Sequence, residues 1–295
     1  MLSANELPEA ALSGVWFISD MHLSPGRPDI SDALWRFLSD LRQHNLRCVD
    51  QTHRIERLYL LGDLFETWIG DDGADHTAMT LCDHLAKLTA CGVTVSLQHG
   101  NRDFLIGAPF VDRFGGVLLP EQHVINLFEH RVLLLHGDEL CTKDSDYQAL
   151  RKQFRSSAWQ AAFLSQSLTE RQAQATHYRQ ASQAAQKDKQ AAILDVSPSA
   201  VEQTFAQHAI QTLIHGHTHR PALHRYPTDG AHAPRCRAVL GDWGKQIWAL
   251  RATAIGLDLL TWDGDAHVHQ ARLADQQPWP LDVSQHTQSA SISAR

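Results

Sequence analysis

The chain has no CxxC pair, no long apolar run and no surplus of positive charge, and each absence excludes something. Its five cysteines, Cys48, Cys82, Cys91, Cys141 and Cys236, are scattered and odd in number. That is the pattern of reduced thiols in the cytosol, not of a disulfide framework or a thiolate zinc site. Most are expected to serve as small buried apolar residues. No stretch approaches the roughly 18–20 apolar residues needed to cross a bilayer, and segment 1–13 lacks the charged start and apolar core of a secretory signal. The expectation is a protein that is soluble or lies on a membrane surface. A net charge of −7 over 295 residues does not advertise a nucleic-acid binder, so no nucleic-acid partner is expected, and no obligate protein partner is evident. The length suits one large domain or two modest ones with ample core.

What the chain does have is histidine, 19 in all, and a particular placement of it. Five short polar clusters stand at the ends of five apolar runs: Asp20-Met-His22, Gly62-Asp63, Gly100-Asn101, His136-Gly-Asp138 and Gly216-His217-Thr-His219. The runs are 15–19, 57–61, 93–98, 131–135 and 211–214, short and rich in β-branched or aromatic residues, as buried strands are. Helical patterns at 30–45 and 77–90 separate the first of them, which predicts an α/β architecture. In such sheets ligands gather beyond the carboxyl ends of strands. In the last four clusters a glycine beside the ligand (Gly62, Gly100, Gly137, Gly216) lets the backbone turn sharply and approach an ion closely.

Asp20 and His22, two apart on a segment read as extended, are expected to point to one side, and His217 and His219 repeat the spacing. Asp63, Asn101 and His136 add one ligand each. Carboxylate, imidazole and amide oxygen suit Mn²⁺, Fe²⁺ or Zn²⁺. Seven ligands are too many for one four-coordinate ion and about right for two that share a carboxylate and leave positions for water and substrate. The chemistry indicated is hydrolysis of a phosphorus ester.

Segment 147–194 reads as helix throughout, with no Gly or Pro. Ser197-Pro198 breaks it and Pro198 opens the next helix, to 208. Such an insert cannot belong to a sheet and is expected to form a small helical cap over the strand ends. Strand-like runs return at 247–254, 256–262 and 267–273. The boundaries expected are a core of 14–144 and 195–274, a cap of 145–194 and a flexible tail of 275–295. Phe154, Trp159, Phe163, Leu164 and Leu168 are candidates to line an apolar cleft in the cap, and Arg151, Lys152, Arg155, Arg171 and Arg179 to meet anionic headgroups.

The order D-x-H, G-D, G-N, H, G-H-x-H resembles that of the calcineurin-like metallophosphoesterases, over roughly residues 15–243. The resemblance implies a β-sandwich flanked by helices. One metal would be held by Asp20, His22, Asp63 and His219, the other by Asp63, Asn101, His136 and His217. Asp63 would bridge them, with water between the ions as nucleophile. Many superfamily members carry a histidine after the Gly-Asn, as acid for an alkoxide leaving group; this chain has Arg102. Arginine cannot act as an acid but donates well to phosphate oxygens. A phosphate monoester, with a second pKa near 6, leaves without a proton, so Arg102 favours pyrophosphate cleavage.

Longer stretches, Phe17–Leu23, Leu60–Glu66, Gly100–Leu105, His136–Asp138, His215–Pro221 and Leu240–Trp243, resemble those of the UDP-2,3-diacylglucosamine hydrolases, the pyrophosphatase family of lipid A assembly. This implies a lipid-linked sugar nucleotide substrate, attack on the phosphorus next to uridine, and UMP and 2,3-diacylglucosamine 1-phosphate as products. It also implies Mn²⁺ as the metal, a lipid-binding role for the cap, and a peripheral place on the cytoplasmic face of a bacterial inner membrane. Substrate contacts would fall on Asn101, Arg102, Asp144, Ser182, Gln186, Lys189 and His217, with Ser182, Gln186 and Lys189 on one helical face. Alternative readings are a general dinuclear metallophosphatase, a nucleotide pyrophosphatase without lipid specificity, a nucleic-acid phosphodiesterase, and a non-catalytic scaffold of the same fold.

Overall fold

The structure is a computed structural model and describes residues 12–187, 193–226 and 234–279. Its first strand shows why the fold forms. Strand β1 (Gly14–Ile18) is buried on both faces, as parallel strands covered by other layers are. Val15 and Phe17 face one core, Trp16 and Ile18 another. Alongside it run β2 (Ile55–Leu61), β3 (Thr94–Gln98) and β4 (Val117–Leu118), all parallel. A second sheet holds β5 (Gln122–Leu127), β6 (His130–Leu135), β7 (Thr212–His215), β8 (Ala222–Tyr226) and β9 (Arg235–Val239), in the order β5-β6-β7-β9-β8. The chain then returns to the first sheet with β10 (Gln246–Ala252), β11 (Gly256–Asp263) and β12 (Arg272–Pro278), completing the order β12-β11-β10-β1-β2-β3-β4.

The two sheets face each other across Val15, Phe17, Tyr59, Leu61, Val132, Leu134, Ile214 and Ala238. Helices cover the outer faces. Helix α1 (Pro28–Arg47) carries Ile30, Leu34, Phe37, Leu38 and Leu41 on one stripe, the spacing that buries one face of a helix, and starts with proline in its first turn. Helix α2 (His76–Thr89) is capped by Asp75, which accepts from Ala78 N at 2.9 Å, a bond worth about 1 kcal/mol. With α3 (Ala108–Asp112) these pack on the first sheet. On the second sheet α7 (Pro198–His208) sets Val201 and Phe205 against Leu133, Leu135 and Leu213. The layers are helix, sheet, sheet, helix: the expected flanked sandwich.

Segment 147–194 is not one helix. It holds α4 (Ser145–Phe154), α5 (Ser157–Leu164) and α6 (Leu168–Lys187). Ser156 accepts from Trp159 N and starts α5. Ser167 and Glu170 bond each other's backbone N–H at 2.9 and 3.3 Å, a capping box that starts α6. At the other end, 267–273 is not a single strand: Val268–Gln270 form a 3-10 turn and β12 runs on through Pro278, with Trp279 buried. Residues 275–279, expected to be tail, are therefore part of the fold, and 280–295 lie outside the described residues. No described helix is long and apolar enough to cross a membrane.

Candidate active site

All five polar clusters follow strand ends, three from the first sheet and two from the second, and they converge at one end of the sandwich. Asp20, Asp63 and His136 are almost wholly buried. Asp20, His22 and His219 form one group of potential ligands, and Asp20, Asp63 and His136 another. Asp63 touches both sides: its Oδ1 is 3.6 Å from His136 Nε2 and its Oδ2 is 3.9 Å from His22 Nδ1. Asn101 aims its Oδ1 at His136 Nε2 (3.0 Å) and His217 Nδ1 (2.8 Å). His22 Nε2 faces His219 Nε2 at 3.2 Å, and His219 Nε2 lies 3.4 Å from Asp20 Oδ1.

These separations pass a simple test of fit. Atoms about 2.1 Å from a shared ion and a right angle apart lie about 3 Å from each other. The buried His22 Nδ1 has no hydrogen-bond partner, a deficit tolerated where charge is to be placed. The residues thus fit divalent ions: the two groups of potential ligands share Asp20, and Asp63 lies between His136 and His22.

The backbone holds these side chains differently from expectation. Asp20 (φ 56°), His22 (48°), Asp63 (53°), His217 (67°) and His219 (54°) all lie in the left-handed region. The Asp20–His22 and His217–His219 pairs are therefore not extended segments. Non-glycine residues there cost about 1–3 kcal/mol each and persist only where surroundings enforce them. Enforcement comes from the backbone: His22 N–H donates to Asp63 O (3.0 Å), Asp20 N–H to Gly62 O (3.1 Å) and Trp243 N–H to Asp20 O (3.2 Å). Glycine matters most where loops touch. A Cβ on Gly100 would lie 2.1 Å from Asp63 Oδ1, and one on Gly216 2.2 Å from Asp20 Oδ2.

Electrostatics follow from this crowding. Burial pushes Asp63 up to about 7, with Asp103 and Asp20 adding to the effect against His136. Burial alone would lower His136, but Asp63, Asp20 and Asp138 outweigh it and raise it to about 9. Its hydrogen bonds agree: Nδ1 meets Leu61 O at 2.8 Å and Nε2 meets Asn101 Oδ1 at 3.0 Å, and two oxygen acceptors call for two N–H groups. Burial holds His22 down at about 3 and His217 at about 4, leaving neutral rings with lone pairs.

Arg102 stands beside this centre. Its backbone N–H donates to Asp63 Oδ1 (2.8 Å) and its Nη1 to Glu66 Oε1 (3.1 Å). Asp103 is buried and takes another job, accepting from Gly100 N and Leu64 N, each at 2.7 Å. Asp144 caps α4 through Tyr147 N (3.1 Å). Ser182 is exposed on α6, Gln186 falls in the last turn of that helix, and Lys189 lies outside the described residues.

The cap helices sit over the strand ends, and their arginines face inward. Arg151 bonds Asp138 Oδ2 (2.7 Å) and Glu121 (2.8 Å); Arg155 bonds Gly100 O (2.9 Å) and Glu121 (3.0 Å); Arg179 pairs with Glu66; Arg171, 3% exposed, pairs with Asp72. These four dock the cap on the core rather than offering charge to headgroups; Lys152 is exposed. Phe154 and Trp159 cluster with Phe104, and Phe163 is buried. Leu168 lines an open groove of about 740 Å³ with Ile69, Gly73, Ala173 and Thr176, beside which Leu164 is exposed. Sequence reasoning missed Tyr147, whose ring stacks on His217 at 6.1 Å while its hydroxyl donates to Asp138 Oδ2 (2.7 Å). It gave no role to Asp242, 3.8 Å from His219, although Leu240–Trp243 is one of the matching stretches.

A sequence profile of the calcineurin-like phosphoesterases matches residues 14–221. A UDP-2,3-diacylglucosamine hydrolase from Cellvibrio japonicus (strain Ueda107) is 46% identical over 247 residues, 84% of this chain and 98% of its own length. One from Stenotrophomonas maltophilia (strain K279a) is 45% identical over 252 residues, 83% of this chain and 97% of its own. Among solved structures, the E. coli phosphoesterase Yfce is 13% identical with a TM-score of 0.44, over 90% of this chain and 98% of its own. With its ligand clusters in order and its relatives aligned along nearly their full length, the chain belongs to the calcineurin-like phosphoesterase family, within the group that these hydrolases form.

Proposed function

We propose that this protein hydrolyses the pyrophosphate bond of UDP-2,3-diacylglucosamine, by attack of water on the phosphorus next to uridine, giving UMP and 2,3-diacylglucosamine 1-phosphate in lipid A biosynthesis. The observation that carries the reading is Arg102 beside the Asp63 carboxylate, in a chain 46% identical to a hydrolase of that name. Asp20, His22, Asp63 and His219 would hold one divalent ion and Asp63, Asn101, His136 and His217 the other, with Mn²⁺ as the native metal. Such ions lower the pKa of water from 15.7 toward about 7 and offset phosphoryl charge.

The chain's own residues do the rest. The Arg102 guanidinium, now on Glu66, would turn its donors to the phosphate oxygens, where a planar fork binds well. Its backbone N–H keeps Asp63 aimed. The leaving lipid phosphate needs no proton, which agrees with the lack of an acid at position 102. Helices α4–α6 exclude water from above, and Asn101, His217, Asp144, Ser182, Gln186 and Lys189 complete the substrate contacts. The apolar side chains of the cap would take the acyl chains of a substrate drawn from a bilayer, and on this reading the protein would work peripherally at the cytoplasmic face of the inner membrane.

The test is product analysis with detergent-dispersed UDP-2,3-diacylglucosamine and, in parallel, UDP-glucose, with Mn²⁺, Mg²⁺ or Zn²⁺. UMP is expected from the diacyl substrate alone, fastest with Mn²⁺, and abolished by Asp63→Ala. Equal rates on both substrates would refute the lipid reading.

A further inference from the structure

His215 ends β7 and is fully buried, yet it belongs to neither group of potential ligands. Its ring turns away from them. Nε2 lies 3.0 Å from Arg237 Nη1, and Nδ1 lies 2.9 Å from Gly216 O. A guanidinium can only donate, so Nε2 must accept. Nδ1 then carries the proton and donates to the Gly216 carbonyl. Arg237 is 6% exposed, and its Nε donates to the Tyr226 hydroxyl at 3.3 Å. No carboxylate among the described residues forms an ion pair with it. This buried cation therefore serves to fix one tautomer of one imidazole.

The peptide that receives the bond is the one entering the strained loop. Its carbonyl, Gly216 O, accepts from His215 Nδ1 and from Thr218 N (2.8 Å). Its amide, His217 N–H, donates to the Asp20 carboxylate at 3.0 Å. The plane is gripped at both ends, and the next rotation along the chain is the His217 φ of 67°. The ring is also wedged against the fourth cluster, since a Cβ on Gly137 would meet its Nδ1 at 2.6 Å.

We propose that His215, oriented by Arg237, is a positioning residue: it locks the Gly216–His217 peptide and so holds the left-handed loop that aims His217 and His219 at the metals. It touches neither substrate nor ion. Groups that orient metal ligands in this way typically change metal affinity or activity by about 10- to 100-fold when removed. The inference rests on the two-ion reading of the site but not on the identity of the substrate.

Two variants of the full chain test it. His215→Asn keeps a donor near the Nδ1 position. The double variant His215→Leu/Arg237→Leu removes the buried pair together, which leaves no orphaned charge and is the change most easily tolerated. Mn²⁺ affinity is measured by chelator competition, with apo-protein melting in parallel. The double variant is expected to bind Mn²⁺ about 10- to 100-fold more weakly while still melting cooperatively, and His215→Asn to stay within about threefold of wild type. In turnover the loss should fall on kcat with KM nearly unchanged. Wild-type Mn²⁺ affinity in the double variant overturns the proposal. So does equal loss in both variants, which would mean that ring volume and not the donated bond matters; should the double variant not fold, a loss of tenfold or more in His215→Asn overturns it. Wild-type protein that binds Mn²⁺ but leaves the diacyl sugar nucleotide intact would refute the proposed substrate and leave this inference standing.

Discussion

His136 meets two oxygen acceptors and is surrounded by three carboxylates, Asp63, Asp20 and Asp138. Without metal, its proton and that of Asp63 occupy the space that cations would claim. With Asp63 raised to about 7 and His136 to about 9, both protons must leave before a metal can enter. The sign is fixed: metal affinity weakens as pH falls through this range, because protons compete for the same lone pairs. Calorimetric titration with Mn²⁺ in buffers of differing ionisation enthalpy should show protons released on binding, more at pH 6 than at pH 8. Binding without proton release would contradict the arrangement. The seven candidate ligands could be picked out in the sequence because each stands where an apolar run ends. Their left-handed backbone was not, since alternation of side chains says nothing about φ. Asp103, Glu66 and His215 were equally hidden: as isolated letters they are ordinary polar residues, and only burial and partners give them work.

At the scale of elements, the cap is fastened by arginines from its own helices to acids and carbonyls of the core. Arg171 is the most buried of them, reaching from α6 to Asp72 and Ile69 O across the turn at Gly70. Replacing it with Leu removes the ion pair to the exposed Asp72 and the bond to Ile69 O, and frees α6. Hydrogen exchange in α6 should quicken by about tenfold or more while β1 and β2 stay protected, and KM for the diacyl substrate should rise more than kcat falls. Unchanged exchange in α6 would show that apolar contacts alone hold the cap. Helices α1, α2 and α7 were readable to within about two residues, the usual uncertainty of helix ends. The breaks inside the cap, at Ser156 and at the Ser167–Glu170 box, went unread, because a run without Gly or Pro hides them. Strands β8 and β9 escaped because Arg225, Arg235 and Arg237 interrupt their apolar pattern, and β12 was read only at its start, 272–273. The first of these sits near a sheet edge, where charge is tolerated and guards against pairing with other chains.

At the scale of the whole molecule, the architecture was legible from alternating runs, and the sandwich came from the family resemblance. What the sequence did not say is how the two sheets share the centre. Asp20, His22, Asp63 and Asn101 come from the first sheet, and His136, His217 and His219 from the second. A cation held by both is a crosslink between halves of the protein, added to the shared apolar core and to polar bonds such as Arg225–Asp275 and Gln98 to Leu134 O that already join them. Occupancy at 100 times Kd adds about 2.7 kcal/mol for each independent site, so melting should shift upward by several degrees with Mn²⁺ and fall back with chelator. An unchanged melting temperature would mean that Mn²⁺ does not bind the folded protein in preference to the unfolded chain. The cross-sheet placement also bears on how the protein ages in a cell. A chelator would lower the protein's stability as well as its activity, so metal starvation would leave it more open to proteolysis and not merely idle.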